Sequence, residues 1–111
     1  MKRKSLIRKV DFYFAKYIKS KRSECELCKN KENLQIHHLF SRKNYSLRWD
    51  EDNVIVVCPR CHFWCHQNTL LLAEKIRQKN EKKFLRLLEK VKKIKKYTNK
   101  DLEELLEKFK I

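Results

Sequence analysis

Two Cys-x-x-Cys pairs, Cys25/Cys28 and Cys58/Cys61, enclose or adjoin His37, His38, Asn53, His62 and His66. Such a turn brings two sulfurs close enough to share one ion, and Zn²⁺ prefers four thiolate or imidazole donors in a tetrahedron. The two pairs together therefore predict one closed structural zinc site. A bare zinc module needs neither a His-His tandem after an apolar run nor two more histidines one helical turn apart after its last cysteine. A second reading of His62 and His66 stands beside this: at i,i+4 they complete the zinc site, displacing a cysteine, in a protein without catalysis. Cys65 breaks the even cysteine count and reads as a small buried residue on the helix that carries them.

The net charge of +15 is unevenly placed. Residues 1–22 hold nine Lys/Arg against Asp11 alone, and residues 75–100 hold twelve against Glu81 and Glu89, whereas residues 23–72 carry six of each sign. Basic flanks around a neutral, metal-ligating centre fit a protein that holds a polyanion, foremost nucleic acid, and acts on it. The longest apolar run, Val54 to Cys58, is far too short to cross a bilayer, and no signal peptide is visible. The cysteine spacing is that of metal ligands rather than of a secreted disulfide framework, so a reducing, cytoplasmic setting is expected.

Around these residues the elements must be short. Ser5 is placed to cap a helix with apolar positions Ile7, Val10, Phe14 and Tyr17/Ile18, leaving Lys9, Lys16 and Lys19 toward solvent; Val10, Phe12 and Phe14 also alternate as a strand would. A turn through the first cysteine pair leads to a strand of Leu34, Ile36 and the histidines, then a polar loop from Ser41 to Asn53. Val54 to Val57 reads as a second strand, and Pro59 suits the first turn of a helix bearing Cys61, His62, Cys65 and His66. Asn68 ends that helix and caps another, with Leu71/Leu72 and Ile76 as its apolar stripe. Phe84, Leu87/Leu88, Val91 and Ile94 mark a basic amphipathic helix, and Thr98 with Asp101 caps a last one with Leu102, Leu105/Leu106 and Phe109. With no glycine in the chain, positive-φ turns fall to Asn30, Asn33, Asn44 or Asn80. At 111 residues one domain is expected: a basic helix over 1–22, a core over 23–68 and a helical extension over 69–111.

The segments Ile36-His37-His38-Leu39, Asp52-Asn53-Val54-Ile55 and Cys58-Pro59-Arg60-Cys61-His62 stand in the order of the HNH endonucleases, and the stretch from Cys25 to His66 resembles that family, closest to phage-type members with a four-cysteine zinc site. The resemblance implies an α+β fold: a ββα-metal core of short hairpin plus helix, here flanked by basic helices. It makes His38 the general base, His37, His62 and His66 ligands of a catalytic divalent ion, and Asn53 the residue that pins the loop between the strands. It also implies hydrolysis of DNA, double-stranded in the first instance, by a phage or mobile-element type of enzyme.

The chemistry is coherent apart from the name. One imidazole base and one cation suffice to activate water and stabilise charge on the phosphate and the leaving oxygen. Three imidazoles favour Zn²⁺, Ni²⁺ or Mn²⁺ over Mg²⁺, although relatives with fewer histidines use Mg²⁺. Arg42, Lys43, Arg48 and Arg60 neighbour the site in sequence and are candidates for gripping the nucleic acid. Trp49 and Trp64 are read as core anchors before base-stacking groups. Two alternatives are a zinc-stabilised nucleic-acid-binding module without catalysis, and a nuclease for branched DNA that dimerises through the leucine-bearing C-terminal helices.

Overall fold

The computed structural model describes residues 2–110. In chain order it contains helix α1 (Arg3–Lys21), strand β1 (Gln35–His38), a 3₁₀ turn (Glu51–Asn53), strand β2 (Val54–Val57) and helices α2 (Pro59–Gln67), α3 (Thr69–Lys79), α4 (Glu81–Val91) and α5 (Asn99–Phe109). The expected α+β class and hairpin-plus-helix core are present. The strands pair antiparallel, with His37 opposite Ile55 and His38 opposite Val54.

Strand β2 is buried on both faces, which accounts for four consecutive β-branched residues where an alternating pattern would mark a half-exposed strand. Val54 and Val56 join the cluster built from Leu6, Val10, Phe14 and Ile18 of α1 with Leu102, Leu106 and Phe109 of α5. Ile55 and Val57 join a second cluster with Cys25, Cys58, Cys65, Leu72 and Ile76. The two-residue period of a strand thus sends adjacent residues of the hairpin to different cores. The first and last helices, distant in sequence, meet as α1 against α5, where Phe14 and Phe109 lie 5.1 Å apart, centroid to centroid.

Several local expectations are corrected. Ser5 lies inside α1, whose N-cap is Lys2. The strand alternative for 10–14 is not adopted, because Val10, Phe14 and Ile18 share the helical face that α5 covers, and Phe12 is left outside. Helix α4 ends at Val91, and Ile94 lies beyond it, exposed, so the amphipathic face is a turn shorter than its pattern. In α3, Leu72 and Ile76 face the core while Leu71 does not. Positive φ occurs at Asn33, as anticipated, and at Lys29, which was not; the backbone of Lys29 reaches back to the Cys25 carbonyl to close the first cysteine turn. Asn80 instead caps α4, its side chain accepting from the Lys83 N–H. Thr98 and Asp101 form the reciprocal capping box on α5. No helix among the described residues is long and apolar enough to cross a membrane.

Candidate metal centres and catalytic cleft

The first cysteine turn and the N-terminus of α2 bring the sulfurs of Cys25, Cys28, Cys58 and Cys61 within 4.8 Å of one another. The sulfurs of Cys28 and Cys58 are 3.6 Å apart, close to the roughly 3.8 Å edge of a tetrahedron with 2.3 Å metal–sulfur bonds. Donor type, number and spacing fit a closed thiolate site. Burial opposes ionisation of Cys25, yet backbone N–H groups of Cys58, Cys28 and Leu27 aimed at its sulfur win, and its thiol falls to about 6. Backbone N–H donation from Cys61 likewise lowers Cys58. Cys65 is different: buried, with its thiol pushed up to about 11 by desolvation, it is a neutral core residue beside the site.

Arg22 and Glu26 lock this knuckle to the hairpin. The Arg22 guanidinium donates to the carbonyls of Val54 (2.9 Å) and Glu51 (2.7 Å), and the Glu26 carboxylate accepts from the Val56 N–H at 2.6 Å. The Glu26 N–H in turn donates to the Val56 carbonyl, so the outer edge of β2 is paired by a residue between two cysteines.

A second cluster joins β1 to α2. The ligating atoms of His37, His62 and His66 lie within 4.8 Å of one another, and the ring of His37 is 5.2 Å from that of His62 and 4.9 Å from that of His66. His62 and His66 stack on one face because they are one helical turn apart. Burial, then the neighbouring imidazoles, hold His37 down at about 4, so it is neutral near pH 7, the form that ligates. His62 is lowered by burial and by His66. The Gln35 side-chain oxygen sits against Nδ1 of His62; since oxygen can only accept, Nδ1 carries the proton and Nε2 is the free donor. The three imidazoles fit a divalent cation.

His38 faces the other side of the strand. Its Nε2 lies 2.9 Å from the Arg48 carbonyl, which fixes the proton on Nε2 and leaves the Nδ1 lone pair free. Burial, the largest influence, keeps its pKa below the ordinary histidine value. Although strand alternation separates His37 from His38, both line one open cleft of about 600 Å³, with Asp11, Ala15, Ser41, Arg42, His62, His66 and Thr69 among its walls.

Asn53, fully buried, ties the intervening loop. Its amide donates to the carbonyls of Phe40 and Leu47, both at 3.0 Å, and its oxygen accepts from the Phe40 N–H at 2.8 Å. Arg42 lines the cleft, exposed, 3.8 Å from Asp11. Arg48 points inward: two nitrogens hold both oxygens of Asp11 at 3.1 and 2.6 Å, and its side chain is only 13 % exposed. Lys43 and Arg60 are exposed and outside the cleft wall. Trp49 is buried, its indole donating to Asp11, and Trp64 packs against the second core. Asp11 and Gln35 are the residues that sequence reasoning missed. The signal for Asp11 was its isolation as the one acid among nine basic residues.

A short antiparallel hairpin and a helix that together enclose an imidazole cluster, with a four-cysteine knuckle beside them, define a ββα-metal module. Residues 25–68 match the family model described as HNH endonuclease. Neither the curated proteins nor the solved structures contain a match to the chain. Helices α1, α3, α4 and α5 lie outside the matched segment.

Proposed function

We propose that the protein is a metal-dependent endonuclease that hydrolyses DNA phosphodiester bonds in this cleft. The observation that carries the reading is the meeting, in one cleft, of a neutral imidazole with its tautomer fixed and three further imidazoles clustered for a cation. His38 is the general base: with Nε2–H committed to the Arg48 carbonyl, Nδ1 accepts a proton from water as the water oxygen attacks phosphorus. Cleavage of the opposite P–O bond then releases the leaving sugar oxygen, which takes up a proton. A divalent cation held by His37, His62 and His66 would stabilise charge on the phosphate and the leaving oxygen, and this nitrogen donor set favours Zn²⁺, Ni²⁺ or Mn²⁺ over Mg²⁺. Asn53 acts at one remove. By tethering the loop it places the Arg48 carbonyl, and hence the ring of His38. Arg42, the exposed cation in the cleft wall, is the group placed to meet the scissile phosphate, while Arg48 serves it indirectly through Asp11. Cys25, Cys28, Cys58 and Cys61 would hold a structural Zn²⁺ as thiolates.

The test is conversion of supercoiled plasmid to nicked or linear form by zinc-loaded protein across a panel of Mg²⁺, Mn²⁺, Ni²⁺ and Zn²⁺. Cleavage with at least one added metal, lost in His62→Ala together with metal binding at that cluster, supports the reading. DNA binding without cleavage under every metal would leave a zinc-stabilised binding module.

A further inference from the structure

On α1, Ser5, Arg8, Phe12, Lys16 and Lys19 recur at three- and four-residue spacing and form one exposed face, with Lys9 at its side. Phe12 is 62 % exposed on this face. None of the four cations makes an ion pair among the described residues. The only carboxylate of α1, Asp11, is already held by Arg48 and Trp49. Much of α4 behaves oppositely, for Arg86 and Lys90 are bound to Asp50 and Asp52 and serve the fold.

The face also borders the cleft. Arg8, Asp11, Ala15 and Lys19 fall in one row along the helix, and Asp11 and Ala15 line the cleft, so Arg8 and Lys19 flank it along α1 while Phe12 and Lys16 stand in the next row outward. From Arg8 to Lys19 the helix rises roughly 17 Å, about the rise of five base pairs. An exposed phenyl ring framed by unpaired cations calls for a partner that offers regular negative charge and flat apolar surfaces together. Paired DNA presents the charge but hides its base faces; DNA with an unpaired base presents both.

We propose that the exposed face of α1 is a substrate-docking surface that selects DNA carrying an unpaired base beside the cleavage point, Phe12 stacking on that base while Arg8, Lys9, Lys16 and Lys19 contact phosphates. This rests on the nuclease reading of the cleft. The substrate class it names is distorted or junction-containing DNA rather than uninterrupted duplex.

The test measures binding of the full-length, zinc-loaded chain, without added catalytic metal, to a perfect 20-base-pair duplex, to the same duplex with one unpaired base, and to phosphatidylserine vesicles. The wild type is expected to prefer the bulged duplex by about tenfold, in the range of one stacked base. Phe12→Ala, at an exposed site, should fold normally, bind the perfect duplex within twofold of wild type and lose the preference. Arg8→Gln, Lys16→Gln and Lys19→Gln combined should weaken both DNAs and flatten the slope of log K against log salt by about 2 to 3. Equal wild-type affinity for the two duplexes, a preference that survives Phe12→Ala, or vesicle binding that depends on these residues while DNA binding does not, would overturn the proposal. Selective binding without cleavage of any DNA would defeat the nuclease reading alone, and metal-supported cleavage that favours the bulged duplex no more than the perfect one, in wild type and Phe12→Ala alike, would defeat this proposal alone.

Discussion

At the scale of single residues, the cleft depends on groups that react with nothing. Asn53 satisfies three backbone groups of a loop that has little other regular structure, and all of its own polar atoms are engaged without water. Replacing it with alanine strands the Phe40 and Leu47 groups in a buried setting, so Asn53→Ala should lower unfolding free energy by about 2 to 4 kcal/mol. Asn53→Asp should cost at least as much, since its carboxylate would face two carbonyl oxygens. Urea denaturation followed by far-ultraviolet dichroism checks both. The two clusters, four cysteines and His37 with His62 and His66, were legible in the sequence because such residue types at short spacings mark metal ligands, whereas the places of His38 and Asn53 were indicated only by the resemblance to the HNH endonucleases. Asp11 was not, because its role arises from a contact with Arg48, 37 positions away, that no local pattern encodes.

At the scale of elements, the first cysteine turn, β2 and α2 form a unit held by shared edges, with four cysteines clustered where a metal would join them. The Arg22–Glu26 pair fastens the knuckle to β2, and a structural metal contributes folding free energy on the order of 10 kcal/mol in small zinc-stabilised units. Cys28→Ser should therefore lose one equivalent of zinc and its cooperative melting transition together; elemental analysis with calorimetry reads both. A second tie joins α4 to the 3₁₀ turn through Asp50. Burial alone would raise its pKa, but hydrogen bonds from Arg86 and Lys90 outweigh that and hold it below the ordinary 3.8. A depressed carboxylate adds stability that is fully present above its unfolded-state pKa and is lost as pH falls through the folded value. Stability should thus drop below about pH 4, and Asp50→Asn should be less stable at pH 7, by roughly 1 to 2 kcal/mol, with a shallower acid decline. Strand β2 and helix α2 were readable from their β-branched run and Pro59. The choice between helix and strand for residues 10–14 was not, because it is settled by α5, some ninety residues away.

At the scale of the molecule, the charge that looked like two equivalent basic flanks resolves into different uses. Arg8, Lys9, Lys16 and Lys19 of α1 make no ion pair among the described residues and lie on the helix that walls the cleft, whereas Lys21 of the same helix pairs with Glu51; several cations of α3 and α4 are committed to acidic partners, and Lys92, Lys93, Lys95 and Lys96 lie exposed on the segment between α4 and α5. The apolar face of α5, which as sequence read as a possible dimer seam, has Leu102, Leu106 and Phe109 buried against α1 of the same chain. Composition reported the surplus of charge but could not assign partners, since ion pairs across 30 to 40 positions depend on the fold. What the molecule assembles is a cleft with a hydrogen-bonded imidazole, His38, on one side and a three-imidazole cluster on the other. The most direct test of that account is the single-turnover rate of plasmid cleavage by His38→Ala under the metal that best supports the wild type, with DNA affinity and melting measured in parallel. A general base contributes roughly 10²- to 10⁴-fold, so the rate should fall by that factor while affinity and melting change little. Cleavage by His38→Ala at the wild-type rate would contradict the assignment of His38 and the mechanism built on it.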